Sequence, residues 1–168
     1  MSETAVLIAG IGSPHGDDRF GWEVIRKLTE LLPGAALDPV GFQEKTTPVM
    51  LRALAAPIGL FNDLGGTDQL IVCDACSGLS QPGECRTLNW PTDQISHLRG
   101  SGSHDISLVE TLRLAERIKQ LPASVTIWVA ERSPTQDVHR PTEVSLSSPV
   151  AAAVERVASQ IAEKYGHA

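Results

Sequence analysis

Apolar residues follow two alternating rhythms along this 168-residue chain. Residues 5–9, AVLIA, form a continuous apolar run closed by glycine, the pattern of a strand buried on both faces. From Gly21 to Leu32 the period becomes helical: Val24, Ile25, Leu28, Leu31 and Leu32 recur three and four apart until Pro33-Gly34 ends the pattern. A weaker strand is expected over 36–42, and Pro48 at a first turn predicts a second helix over 48–56. Residues 69–74, QLIVCD, read as another buried strand that ends in a carboxylate, and residues 85–88 as a short strand after the turn QPGE. A helix is predicted over 105–120, with Leu108, Val109, Leu112, Ala115 and Ile118 on one face. A strand over 123–130 and a last helix from near Pro149, carrying Val150, Val154, Val157 and Ile161, complete the series.

Alternation of this kind predicts a three-layer αβα sandwich around a mostly parallel, twisted sheet, in one domain spanning residues 1–168. It also says where to look for chemistry, because such folds place functional groups just past the C-terminal ends of their strands. A hydrophobic content of 42% supplies a proper core. The net charge of −6, with no cluster of lysine or arginine, argues against nucleic acid or an anionic membrane as partner. The N-terminus lacks a basic segment before its apolar run, and no apolar stretch approaches the ~18 residues of a membrane span, so a soluble, cytoplasmic monomer is expected. Three cysteines, an odd number without small-domain spacing, are expected to stay reduced.

The loop after the first strand reads GIGSPHGDDRFGWEVI over residues 10–25. Its glycines suggest a phosphate cradle, but His15 stands where a dinucleotide fingerprint needs glycine, and no Gly-Lys-Ser/Thr follows. Asp17 and Asp18 would also put negative charge where a pyrophosphate must sit; a carboxylate pair suits a cation.

The strand-end rule selects three further groups. Asp17 and Asp18 follow the first strand, Asp74 ends LIVCD, and His104 lies in the loop GSGSHDIS at a helix entrance. Brought together, they would form an oxygen and nitrogen donor set suited to zinc, nickel, iron or manganese, with positions open for substrate or water. Taken singly, each also has an ordinary structural reading: an acid near a helix start, a strand-end carboxylate on loop amides, a loop histidine on backbone. Cys73 and Cys76 bracket Asp74 as C-x-x-C, but Cys73 falls within the strand, where a redox pair does not form, and both read as small buried residues. No G-x-S-x-G occurs, and Ser77 has no visible base.

In combination these segments resemble the hydrogenase maturation proteases, endopeptidases that trim the C-terminus of nickel-iron hydrogenase large subunits. Family members open on a pattern like G-x-G-N-x-x-x-x-D-D-G-x-G, which GIGSPHGDDRFG resembles in its glycines and paired acids. The family's gaDrLIiVDA strand looks like GGTDQLIVCDACSG at Gly65–Gly78, its S-x-H-x-x-x-L-x-e-x-L block like SGSHDISLVETL, and its closing LSpxVxxA like LSSPVAAA. Ser13 replaces the usual asparagine, Arg19 replaces the glycine after the acids, the loop is one residue shorter, and the family's D-G-G-T segment has no counterpart in DPVGFQEKTTPVM.

The resemblance implies metal contacts at Asp18, Asp74 and His104, with Asp17 as the alternative to Asp18 or as the group that orients a water or acts as base. It further implies that nickel arrives with its precursor substrate, a hydrogenase large subunit, although another divalent ion such as zinc fits the same donors. Such an ion would polarise the scissile carbonyl or lower the pKa of a water to about 7. Two other readings stay open: a non-cleaving metal-dependent chaperone or binding module on the same scaffold, and a different α/β hydrolase acting on small substrates.

Overall fold

The computed structural model describes residues 4–37, 49–100, 106–134 and 145–166. The first strand, β1 (Val6–Ile11), is buried at every position. It pairs in parallel with β3 (Val49–Leu54) on one side and β4 (Gln69–Ser77) on the other. Outside these lie β2 (Ala36–Leu37), parallel to β3, and β7 (Ser124–Glu131), parallel to β4. An antiparallel edge strand, β5 (Cys85–Asn89), pairs with β7, and the two-residue β6 (Arg99–Gly100) pairs antiparallel with the end of β4. The sheet order is β2-β3-β1-β4-β7-β5. A doubly wound, mostly parallel sheet is therefore present as the alternation predicts.

Among the described residues, three α-helices cover the sheet. On one face, α1 (Phe20–Leu31) and α3 (Ser148–Tyr165) pack on Val6, Ile8, Leu51, Ile71 and Cys73. On the other, α2 (Leu108–Arg117) joins the 3₁₀ turns at Pro57–Asn62 and Gln94–His97 over Leu7, Ala9, Leu70, Val72 and Ile127. The sign alternates residue by residue along β1 and β4, which is why both strands read as unbroken apolar runs. A capping box between Ser107 and Glu110 opens α2, so this helix starts at Leu108 rather than near 105.

One expected element is corrected. The helix predicted over 48–56 is strand β3, paired from Val6↔Val49 to Ile11↔Leu54. Met, Leu, Ala and Arg are good helix formers, but a local propensity of a few tenths of a kcal/mol per residue yields to a complete hydrogen-bonded ladder beside a buried strand. Of the strand expected over 36–42, β2 realises Ala36–Leu37, and its remaining positions lie outside the described residues.

The glycines of the first loop serve packing. A Cβ on Gly10 would stand 2.0 Å from the carbonyl oxygen of Gly21, and one on Gly21 would stand 2.2 Å from that of Ile11 and 2.5 Å from that of Cys73. Side-chain-free backbone at both positions lets α1 descend onto the junction of β1 and β4. Chain direction reverses at that junction: β1 leads toward β2 and β3, and β4 leads toward β7, leaving a crevice at the C-terminal strand ends.

Candidate functional site

At this crevice the chain turns from β1 into a 3₁₀ turn, Gly16–Arg19, that carries both acids of the first loop. Gly16 enters it with φ +48°, a left-handed conformation that favours glycine. Two bonds to one acceptor hold the loop against the end of β3: Gly12 N–H at 3.0 Å and the Trp22 indole N–H at 2.9 Å both donate to the carbonyl of Leu54.

Within the turn, Asp17 and Asp18 part company. Asp17 is 2% exposed. Its Oδ1 accepts the Ser147 N–H at 2.7 Å, and its Oδ2 accepts the Ser133 N–H at 2.8 Å and the Ser147 hydroxyl at 2.9 Å. Ser147 is the N-cap of α3 and makes no cap bond of its own. A carboxylate therefore stands at the positive end of an 18-residue helix, where it is favoured by the helix dipole. With both oxygens engaged by the protein, Asp17 acts as a clasp that ties the first loop to the end of β7 and the start of α3.

Asp18 faces another partner. Arg132 Nη1 donates to its Oδ1 at 3.0 Å, while Arg132 Nε and Nη2 donate to the Ser77 Oγ at 3.2 and 2.7 Å. Ser13 Oγ lies 3.4 Å from the other Asp18 oxygen. Ser77 thus works as an acceptor for a guanidinium, in keeping with its lack of a general base.

Asp74 sits on β4 one residue beyond the last pairing with β1, Gly10↔Cys73. It is 7% exposed, and its Oδ1 is buried with no hydrogen-bond partner among the described residues. Burial, joined by the negative charge of Asp18, pushes its carboxyl up to about 8, against the opposing pull of the Ala75 N–H and the Arg132 cation. A buried acceptor left unpaired costs free energy and calls for an explanation. Asp74 lines a cleft of about 120 Å³ whose walls are otherwise mostly aliphatic, among them Ile11, Pro57, Ile95, Leu98, Ile106 and Val129.

His104 lies outside the described residues. Ile106, two positions along the chain, lines the cleft together with Ser107 and Leu108 at the entrance to α2. Among the described residues, no three His, Cys, Asp or Glu side chains form a group able to hold a metal ion. A divalent cation nevertheless fits the donor chemistry present, since the buried Asp74 oxygen without a partner among the described residues would gain from one and Asp18 offers a second carboxylate nearby.

The cysteines carry no such chemistry. Cys73 belongs to the α1/α3 side of the core and Cys76 to the α2 side, so the two thiols point to opposite faces of one strand and cannot share a bond or a metal. Burial raises the Cys73 thiol well above its usual range and the Cys76 thiol to about 12, which leaves both protonated.

Arg132 escaped the reading of the sequence. It follows β7 directly, in VAERSP, and the rule that found Asp18 and Asp74 at strand ends selects it once applied to this fourth strand.

Fold and cleft together define a doubly wound α/β protein with an acidic, aliphatic-walled crevice at its switch point. Similar folds occur in the HybD maturating endopeptidase of E. coli (18% identity, 94% of this chain and 90% of that one, TM-score 0.68). They occur as well in a hydrogenase 2 maturation peptidase from a Thaumarchaeota archaeon (22%, 97% and 99%, TM-score 0.61). HybD from Thermococcus kodakarensis, a [NiFe] hydrogenase maturation protease, is similar at 22% identity over 96% of this chain and 98% of its own, with TM-score 0.64. No curated protein sequence is a significant match. The family model described as hydrogenase maturation protease matches residues 50–164, well over half of the sequence, and the chain belongs to that family.

Proposed function

We propose that this protein is the endopeptidase that removes the C-terminal extension of a nickel-iron hydrogenase large-subunit precursor once nickel has been inserted. Family membership supports the reaction class. The observation that carries the site is Asp74: a buried carboxylate with an orphaned oxygen, facing a cleft beside a second carboxylate. Such a group is costly in the free protein and is expected to find its partner in the substrate complex.

In this reading Asp18, Asp74 and His104 meet the nickel that the precursor brings, and that ion supplies polarisation of the scissile carbonyl. The protein's own residues do the rest. Ile11, Pro57, Leu98 and Ile106 pack against the extended C-terminal segment and exclude bulk water, strengthening the charge interactions inside. Asp17 fixes the turn that also carries Asp18, and so holds that second carboxylate in place beside Asp74. No helix among the described residues is long and apolar enough to cross a membrane.

Incubating the purified, chelator-treated protein with nickel-loaded and nickel-free precursor, and weighing the large subunit by mass spectrometry, tests the proposal. Shortening of the loaded precursor alone is expected. Equal cleavage of both would end the nickel-sensing role, and tight binding of loaded precursor without cleavage would favour a binding module.

A further inference from the structure

The Arg132 side chain has no place in the reaction just described, yet it makes a charged contact with Asp18. Its guanidinium is braced from behind by two bonds to Ser77 Oγ, at the end of the strand that carries Asp74, and reaches Asp18 Oδ1 at 3.0 Å. Both partners are largely buried, with side-chain exposures of 21% and 22%, so water screens the pair only in part. The cation also faces Asp74, whose carboxyl it draws downward.

A divalent ion on Asp18 must displace this guanidinium or sit beside it, and each course costs free energy: a braced, charge-assisted bond is broken, or two cations are held together. We propose that Arg132 is an internal counter-cation that competes with divalent metal for Asp18 and keeps free ions out of the cleft. An ion delivered within a bound precursor overcomes this competition with the binding energy of the whole polypeptide. Free nickel or zinc has no such help. The inference rests on the reading of Asp18 as a metal-contacting acid and adds to it the residue that makes the site selective for the carried ion.

The test is titration calorimetry of the chelator-treated protein with free Ni²⁺, without precursor. Arg132→Gln should bind Ni²⁺ at least tenfold more tightly than the unaltered protein, whereas Arg132→Lys, which keeps the cation, should stay within about threefold of it. Adding Asp18→Asn to Arg132→Gln should abolish the gain. The sign of the change is decisive, because loss of a merely structural arginine would loosen the site and weaken binding. Ser77→Ala removes the brace and keeps the charge; it should tighten binding by a smaller factor, and it carries the same test if Arg132→Gln fails to fold. Unchanged or weaker Ni²⁺ binding in folded Arg132→Gln and Ser77→Ala would overturn the proposal, as would a gain that survives Asp18→Asn. If Asp18→Asn in the otherwise unaltered protein leaves cleavage of nickel-loaded precursor untouched, the assignment of Asp18 itself fails, which is distinguishable from failure of the competition.

Discussion

The two faces of β4 differ by one residue and serve opposite ends. At Cys73 the carbonyl comes so near α1 that a methyl group on Gly21 would stand 2.5 Å away. At Asp74, the next position, the side chain lines a cleft where one carboxylate oxygen has no partner among the described residues. The closed face makes the open one possible: α1, drawn down onto β1 and β4, follows directly on the turn at Gly16–Arg19 that carries Asp17 and Asp18. Tight packing on one side holds a polar site in an unfavourable state on the other, a common division between scaffold and function.

The most severe way to break this arrangement is on the closed face. Gly21→Ala should destabilise the protein by at least about 3 kcal/mol, because the added methyl meets backbone carbonyls that cannot swing aside as a side chain can. Urea unfolding measures this, and a loss under about 1 kcal/mol would mean that α1 does not sit as closely as described. Asp17→Asn comes next. The amide cannot accept all three bonds to Ser133 and Ser147, so a loss of about 1–3 kcal/mol is expected, with faster amide hydrogen exchange at the start of α3 and reduced precursor cleavage.

On the open face the direction reverses. Asp74→Asn should abolish precursor cleavage yet raise the stability of the metal-free protein by about 1–3 kcal/mol, or several degrees in Tm. The sign follows from its carboxyl, pushed up to about 8 in the fold against 3.8 in a free chain. Between those values the folded protein holds a proton that the unfolded chain has released, so stability is lost as pH rises from near 4 to near 8. The advantage of Asn should therefore grow across that window and level off above it, as thermal melts in the presence of chelator would reveal. The smallest effect belongs to the cysteines. Cys73→Ala with Cys76→Ala should retain cleavage and lose about 1–2 kcal/mol from thinner packing. Loss of cleavage in the folded double variant would restore a thiol role.

Much of this was legible in the chain itself. Buried parallel strands announce themselves as unbroken apolar runs, as at Val6–Ile11 and in QLIVCD, and amphipathic helices as three- and four-residue spacing, as in α1 and α3. The apolar run QLIVCD pointed to Asp74, although β4 continues past it to Ser77 through its pairing with β7, and only the structure placed Cys73 and Cys76 on opposite faces. β3 was not legible, because its residues suit a helix and become a strand only through the ladder with β1.

The two acids of the first loop mark the boundary most sharply. Composition, spacing and strand-end position determined that a carboxylate pair would stand at the switch point, since these depend on local pattern and on the general geometry of parallel sheets. Only the tertiary structure separated Asp17, buried as a clasp, from Asp18, paired with a cation at the cleft. The physical reason is that adjacent, chemically identical side chains in one short turn are distinguished by their partners alone. Those partners, Arg132, Ser133 and Ser147, lie 114 to 130 residues further along the chain and reach the turn only when β7 and α3 are in place.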